Sequence, residues 1–380
     1  MAHKDRAREA FEAIENDLRD ISRWMYENPE IAYEEHESSA RLSSFLADHG
    51  FDVTHPAHGL DTAFEATVGS TGPRVVICCE YDALPEVGHA CGHNIIATAA
   101  VGAGVALAGL VDELGIRVTV LGTPAEEAGG GKVDLIDAGA FEDVAAAMMV
   151  HPTWKEDVID PQFLAIQSYV VEYHGQEAHA AGAPQQGINA LDAFVQAYNN
   201  VATLRQQMLP TDRVHCVITH GGGAANVIPG YTRSEWMIRA TTKERLDVLV
   251  EKVRACFEAA ATATGCRLEI NPDSHPYTDL RTNEIMASLY MENSAALGRP
   301  LKRFADLADK STGSTDMGNV SQVVPAIHPG IHIDSEHSNH HPGFAATTIT
   351  ASGERAIRDG ALGMAWTIID MATQDVWGRL

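Results

Sequence analysis

The chain has too few basic residues to hold nucleic acid. Lysine and arginine total 27 against 52 aspartates and glutamates, a formal net charge of −25, whereas phosphate binding rests on clustered cations. The same imbalance argues against docking on an anionic membrane surface. No stretch reaches the roughly 18 consecutive apolar residues of a transmembrane helix, so no membrane partner is expected. The opening MAHKDRAREAFEAIEND is charged throughout and lacks the apolar centre of a signal peptide, so a cytoplasmic location is expected. Cysteine is sparse: six in 380 residues do not make a disulfide framework. Cys78, Cys79, Cys216, Cys256 and Cys266 read as core thiols. Two catalytic signatures are missing as well. HGGG at 220–223 resembles a lipase oxyanion segment, but no G-x-S-x-G elbow accompanies it. GGGK at 129–132 is followed by Val133 rather than Ser or Thr, so it is no phosphate-binding loop.

What is present is enough apolar material for a large core, in a chain long enough for about two domains at roughly 100–200 residues each. Phe11, Ile14, Leu18, Ile21 and Met25 recur at helical spacing until Asn28-Pro29. A second helix is expected at 35–47. RVVICC at 74–79, RVTVLG at 117–122 and AAAMMV at 145–150 are near-continuous apolar runs, the pattern of central strands buried on both faces. An Ala/Gly/Val-rich helix at 95–110 separates the first two, which predicts an α/β layer structure. After Pro161 the order changes. Strands at 164–173, 213–220, 234–241 and 266–270, with helices at 187–206 and 242–262, give β-α-β-β-α-β, a ferredoxin-like module. The expected architecture is a catalytic domain of 1–164 and 278–380, its mixed sheet flanked by helices, interrupted by an inserted domain at 165–277.

Chemistry concentrates where the buried runs end. EYDALPEVGHACGHN at 80–94 follows RVVICC and carries Glu80, Asp82, His89, Cys91 and His93. Open α/β sheets bind ligands at that edge, and thiolate with imidazole is a transition-metal donor set suited to zinc. LGTPAEEAGGGK at 121–132 places Glu126 beside Glu127 past the next strand. Adjacent buried carboxylates repel each other unless a cation is near. One can then bind metal while its neighbour takes a proton from water. His151 ends the third strand, and IHIDSEHSNHHPGF at 331–344 adds His332, His337, His340 and His341. Each segment alone also reads as a solvated loop. Four donor sets at strand ends together do not.

GHACGH, GTPAEEAGGG, the strand ending VHP and the late HHPGF resemble the dinuclear metal-dependent aminoacylase and carboxypeptidase family. More narrowly they resemble its amidohydrolase branch of indole-acetyl-amino-acid and p-aminobenzoyl-glutamate hydrolases and β-alanyl-lysine dipeptidases, through EYDALPEVGHACGHN and GSTDMGNVSQVVP. The resemblance covers nearly the whole chain. It implies a zinc-peptidase-like catalytic domain with a ferredoxin-like lid or dimerisation domain. Cys91, His93, Glu127, His151 and His340 match the metal ligands, His340 being preferred to His341 because the family reads His-x-Pro and Pro342 lies two past it. Two divalent ions are implied, zinc first, with manganese, cobalt or nickel as alternatives. Cys91 is the plausible bridge. Glu126 matches the general base and Asp82 the carboxylate that orients a ligand. Asn94 stands where the branch usually has Asp, although an amide can still orient a ligand.

HGQEAHAAG resembles the segment whose histidine, here His179, stabilises the oxyanion. In several relatives it enters from the partner subunit, so a homodimer through the inserted domain is expected. HGGGAANVIPG places Asn226 on substrate, Arg239 matches the residue that pairs with a substrate carboxylate, and Gly313 and Ser314 line the pocket through backbone contacts. The implied reaction is hydrolysis of the amide bond in an N-acyl amino acid, an aminobenzoyl-glutamate-like conjugate or a dipeptide, a small molecule with a free carboxylate. A catalytically inactive relative that merely binds metal and small molecules would be signalled by loss of Glu126 or His179, and both are present.

Overall fold

The structure, a computed structural model, describes residues 2–308, 310 and 312–380. It divides into two units, one running to Gln162 and resuming at Leu280, the other spanning Phe163–Asp279. The sequence pattern puts the inserted segment at 165–277.

In the first unit, helices α1 (Ala2–Glu27) and α2 (His36–Asp48) precede strands β1 (Asp52–Thr54), β2 (Phe64–Val68) and β3 (Arg74–Cys79). Then follow α3 (His93–Ala108), α4 (Val111–Leu114), β4 (Arg117–Gly122), α5 (Gly131–Asp137), β5 (Val144–Met148) and β6 (His151–Thr153). The six-stranded sheet has the order β1-β2-β4-β3-β5-β13, where β13 is Ala326–Ile327. β4, β3, β5 and β13 run parallel, and β2 pairs antiparallel with β4 on one side and β1 on the other, so the sheet is mixed.

Side-chain alternation explains why the central runs are apolar throughout. Val75, Ile77 and Cys79 face one core layer with Ala146 and Met148. Val76 and Cys78 face the opposite layer with Ala147 and Met149. With both faces covered, no position in the core of β3 can be polar. The first layer is built from α1, α3 and the late helix α11 (Ala351–Thr373). α3 is apolar all round because it is buried along its length. A Cβ on Gly102 would lie 2.8 Å from Phe11 Cε2, so glycine is what permits α1 to approach there. The remaining elements of this unit are α8 (Glu284–Ala296), α9 (Met317–Val323), β14 (Gly330–His332) and α10 (Pro342–Thr348). β14 pairs with β6 in parallel.

The inserted unit contains β7 (Ala165–His174), β8 (Ala178–His179), α6 (Ala190–Leu204), β9 (Arg213–His220), β10 (Val227–Ile228), β11 (Tyr231–Ala240), α7 (Lys243–Thr264) and β12 (Arg267–Pro272). Its antiparallel sheet has the order β12-β7-β11-β9, the ferredoxin-like arrangement expected from the pattern. α6 and α7 bury Ala193, Ala197, Val201, Leu249, Val253 and Phe257 against Val171, Tyr173, Trp236 and Ile238. The other face carries exposed Val217 and Met237, and β9 is an edge strand. Among the described residues no helix is long and apolar enough to cross a membrane.

Candidate metal centre

Three parallel strands deliver the donors to one edge. β3 runs out into Glu80 and Asp82, β4 into Glu126 and Glu127, and β5 into His151. Gly92 then turns the chain from the β3 loop into α3. Its φ is +84°, and a Cβ there would meet Pro152 Cγ at 2.8 Å, so only glycine seats Cys91 and His93 on either side of that turn. His340 also has a positive φ, 68°. Its N–H donates to the Ala90 carbonyl at 2.8 Å, which ties the late histidine segment to the Cys91 loop.

Cys91, His93 and His151 form one group of converging donors, Cys91, Glu127 and His340 a second, and His93, Glu126 and Glu127 a third. The Cys91 Sγ to His151 Nε2 distance is 3.4 Å. Two ligands bonded at ~2.3 Å for sulfur and ~2.0 Å for nitrogen around a tetrahedral ion would be about 3.5 Å apart. His151 Nδ1 donates to the Pro152 carbonyl at 2.9 Å, which leaves Nε2 with its lone pair toward the thiol. His93 is oriented in the same manner: Nδ1 donates to Asp82 Oδ1 at 2.9 Å, and Nε2 lies 3.8 Å from Glu127 Oε1 and 3.5 Å from Glu80 Oε2. Asp82 Oδ2 accepts the Glu127 N–H at 2.9 Å. One carboxylate thus fixes an imidazole and the backbone beneath a carboxylate donor. His340 Nε2 is 3.5 Å from Glu127 Oε2. His341 instead caps α10, accepting the Gly343 N–H at 3.0 Å, and its ring stacks on His337.

The electrostatics call for a cation. Glu80 Oε2, His93 Nε2 and Glu127 Oε1 are buried without a hydrogen-bond partner, which is costly unless an ion satisfies them. Burial, then Glu80, Glu127 and Asp316, push Glu126 well above the usual carboxylate range. Burial and then Glu127 raise the Cys91 thiol. Burial is the largest influence on His93 and opposes its charge, yet Asp82 and then Cys91 together hold the imidazole well above its usual value. Burial lowers His151 to about 4, which keeps it neutral, as a ligand must be. The donor set therefore fits a transition metal.

A second polar assembly backs the first. Lys132 is fully buried. Its Nζ donates to Glu80 Oε1 and Asp316 Oδ1, each at 2.6 Å, and its backbone N–H to Asp316 Oδ2 at 3.0 Å. Glu80, Glu126 and Asp316 converge there. Half-buried Gly313 and Ser314 lead into Asp316. Asn339 reaches the Pro152 carbonyl at 3.3 Å and Cys91 Sγ at 3.7 Å. The His328 ring centre is 5.4 Å from that of His151. The signal for Lys132 and Asp316 is their place in GGGK and GSTDMG, beside motifs already singled out. Asn94 is a correction: its amide bonds Ser22 and Thr348 and so joins α3 to α1 and α10 rather than orienting a donor.

Within the inserted unit, His179 pairs with Val227, and the Asn226 carbonyl accepts the Ala180 N–H at 3.0 Å. The unit therefore brings His179 and Asn226 together. Arg239 is elsewhere. Gly175 bonds Gly230 beside the His179 end, where His174 faces Tyr231. Arg239 faces Ile166 near the entry of the chain, eight residues beyond Tyr231 on β11 and so about 26 Å from Tyr231.

Residues 165–264 match the peptidase dimerisation domain. The Xaa-Arg dipeptidase of Mus musculus is 40% identical over 97% of this chain and 88% of its own length. A p-aminobenzoyl-glutamate hydrolase chain of Escherichia coli is 32% identical over 70% of this chain and 59% of its own. A Bacillus subtilis structure described as a dinuclear metal binding peptidase from the M20 family superposes with a TM-score of 0.73 over 95% of this chain and 99% of its own, and at 22% identity that likeness speaks for the fold. With a converging Cys/His/Glu donor set on one sheet edge and a relative this similar along almost its whole length, the chain belongs to the M20 family of metallopeptidases and is a metal-dependent hydrolase of amide bonds.

Proposed function

We propose that the protein hydrolyses dipeptides that end in a basic residue, using two divalent ions, zinc first among them. The observation that carries the reading is Cys91, which joins the group of His93 and His151 to that of Glu127 and His340, with Glu126 beside Glu127. Cys91, His93 and His151 would hold one ion, and Cys91, Glu127 and His340 the other. When bound, the ions supply Lewis acidity, lowering the pKa of water and polarising the amide carbonyl. Glu126 takes the proton of the attacking water and returns it to the leaving amine nitrogen. Asp82 holds His93 in the tautomer that points Nε2 at the donors. His179 donates an N–H to the oxygen that gains charge. Arg239 pairs with the terminal carboxylate of the substrate.

In one copy of the inserted unit His179 follows the His174–Tyr231 end of the sheet, whereas Arg239 lies about 26 Å along β11 from Tyr231, a separation that argues against one small substrate meeting both from the same copy. A homodimer in which each site draws one of them from either subunit removes the conflict. The exposed apolar face of β9 and β11, with Val217 and Met237, supports pairing through this unit. The basic end of the substrate is suggested by the name of the mouse relative. It is supported by the charge of −25, which draws cationic substrates and repels anionic ones. The test is a hydrolysis screen after chelation, with zinc, manganese, cobalt and nickel restored separately. Arginine- and lysine-terminated dipeptides should give the highest kcat/KM. Preference for N-acetyl amino acids or aminobenzoyl-glutamate would overturn the substrate reading and leave the hydrolase reading intact.

A further inference from the structure

Two adjacent glutamates can serve as ligand and base only if the turn that carries them is held, because successive side chains must diverge and stay apart. Ala125, just before the pair, has φ +59°, a left-handed conformation that residues other than glycine avoid. Its carbonyl accepts the N–H groups of Gly129 at 3.1 Å and Gly130 at 2.8 Å, which closes the turn behind the pair. Its own N–H donates to Glu35 Oε1 at 2.8 Å. The second oxygen, Oε2, accepts the Thr62 hydroxyl at 2.8 Å, and the Thr62 carbonyl in turn accepts Tyr81 O–H at 2.6 Å. Glu35 is fully buried. A carboxyl in such a place is expensive to desolvate, and besides the Thr62 hydroxyl it engages the backbone of this turn, 90 residues away in sequence.

We propose that Glu35 is a positioning residue for the glutamate pair: it clamps the Ala125 N–H and thereby aims Glu126. The proposal rests on the reading of Glu126 as base and Glu127 as ligand. Asp82 already holds the Glu127 N–H at 2.9 Å, so the turn is gripped from both sides, at 125 by Glu35 and at 127 by Asp82. Releasing the first grip leaves Glu127 in place and lets Glu126 drift. The loss should therefore fall on turnover and spare metal content.

The test compares the full-length zinc-loaded protein with Glu35→Leu, Glu35→Gln, Thr62→Val and Glu126→Gln, on an arginine-terminated dipeptide. Amide hydrogen exchange is read over 121–131. Glu35→Leu should lower kcat about tenfold to a hundredfold with KM and zinc content unchanged. Exchange at Ala125 should accelerate about tenfold while that at Glu127 stays put. Glu35→Gln, whose amide oxygen still accepts the N–H, should stay within about threefold of wild type on both readouts. Unchanged kcat in Glu35→Leu overturns the proposal. So does zinc lost in proportion to kcat, or a Gln variant no better than Leu. If Glu35→Leu does not fold, Thr62→Val carries the test: faster Ala125 exchange with lower kcat supports the clamp, and no change in either overturns it. Turnover retained in Glu126→Gln would instead sink the reading of the pair, while Ala125 exchange would still report on the clamp.

Discussion

Sγ of Cys91 and Nε2 of His151 face each other at 3.4 Å, and the same sulfur belongs to the group formed with Glu127 and His340. Cys91 is therefore common to two donor groups, as His93, Glu126 and Glu127 are to two each, whereas His340 serves one. Cys91→Ser replaces a thiolate by a neutral hydroxyl and should deplete both ions, while His340→Ala should deplete one. Metal content per chain after gel filtration in metal-free buffer measures this. Cys91→Ser retaining as much metal as His340→Ala would remove the shared-ligand assignment.

The separation of His179 from Arg239 gives a test that needs no structure of the dimer. Dimers of His179→Ala and of Arg239→Ala should each be nearly inactive. Mixed through reversible dissociation, they should recover about a quarter of wild-type activity, because half the dimers are hybrid and one site in each hybrid is intact. No recovery despite proven subunit exchange would place both residues on one chain's contribution to the site.

Lys132 neutralises Glu80 and Asp316 where neither touches water. Replacing one member of such a cluster leaves an uncompensated buried charge, which typically costs about 3–5 kcal/mol. Lys132→Met should lower stability by that order in urea unfolding of the metal-free protein, and adding Asp316→Asn should restore part of it. A Lys132→Met protein as stable as wild type would show that the cluster is not ionised as drawn.

What is legible beforehand, and what is not, follows from the range of the interactions. Cys91, His93, Glu126, Glu127 and His151 are legible because each follows a strand whose two faces are both buried, and such strands announce themselves as apolar runs. β13, with two residues, and α5 and α9, with seven each, are too short to carry a period. Lys132 reads from sequence as a surface cation, since lysine is rarely buried unpaired. Its partners lie 52 and 184 residues away, and only the folded sheet edge assembles them. Glu35 is hidden for the same reason, and Asn94 misleads because its neighbours Ser22 and Thr348 come from distant helices.

Glu35 also predicts a pH dependence of stability. Burial, and next the charge of Asp82, raise its carboxyl from 4.5 to about 7; Tyr33 and Tyr81 are the other titratable groups it affects. A carboxyl whose folded pKa exceeds its unfolded value supports folding fully below the lower value, and that support is lost as pH rises through the higher one. The window here runs from 4.5 to about 7. Glu35→Gln does not titrate, so its Tm should exceed that of wild type at pH above the window, with the gap shrinking below it. A gap independent of pH would mean that folding does not raise the Glu35 pKa.

The central claim is that Glu126 moves the proton while its neighbour Glu127 holds metal. Zinc content and kcat measured together on Glu126→Gln test it most directly. The amide cannot accept the proton of water, so kcat should fall by about 10²–10⁴ with the zinc content of wild type. Turnover close to wild type, or zinc lost along with activity, would contradict it.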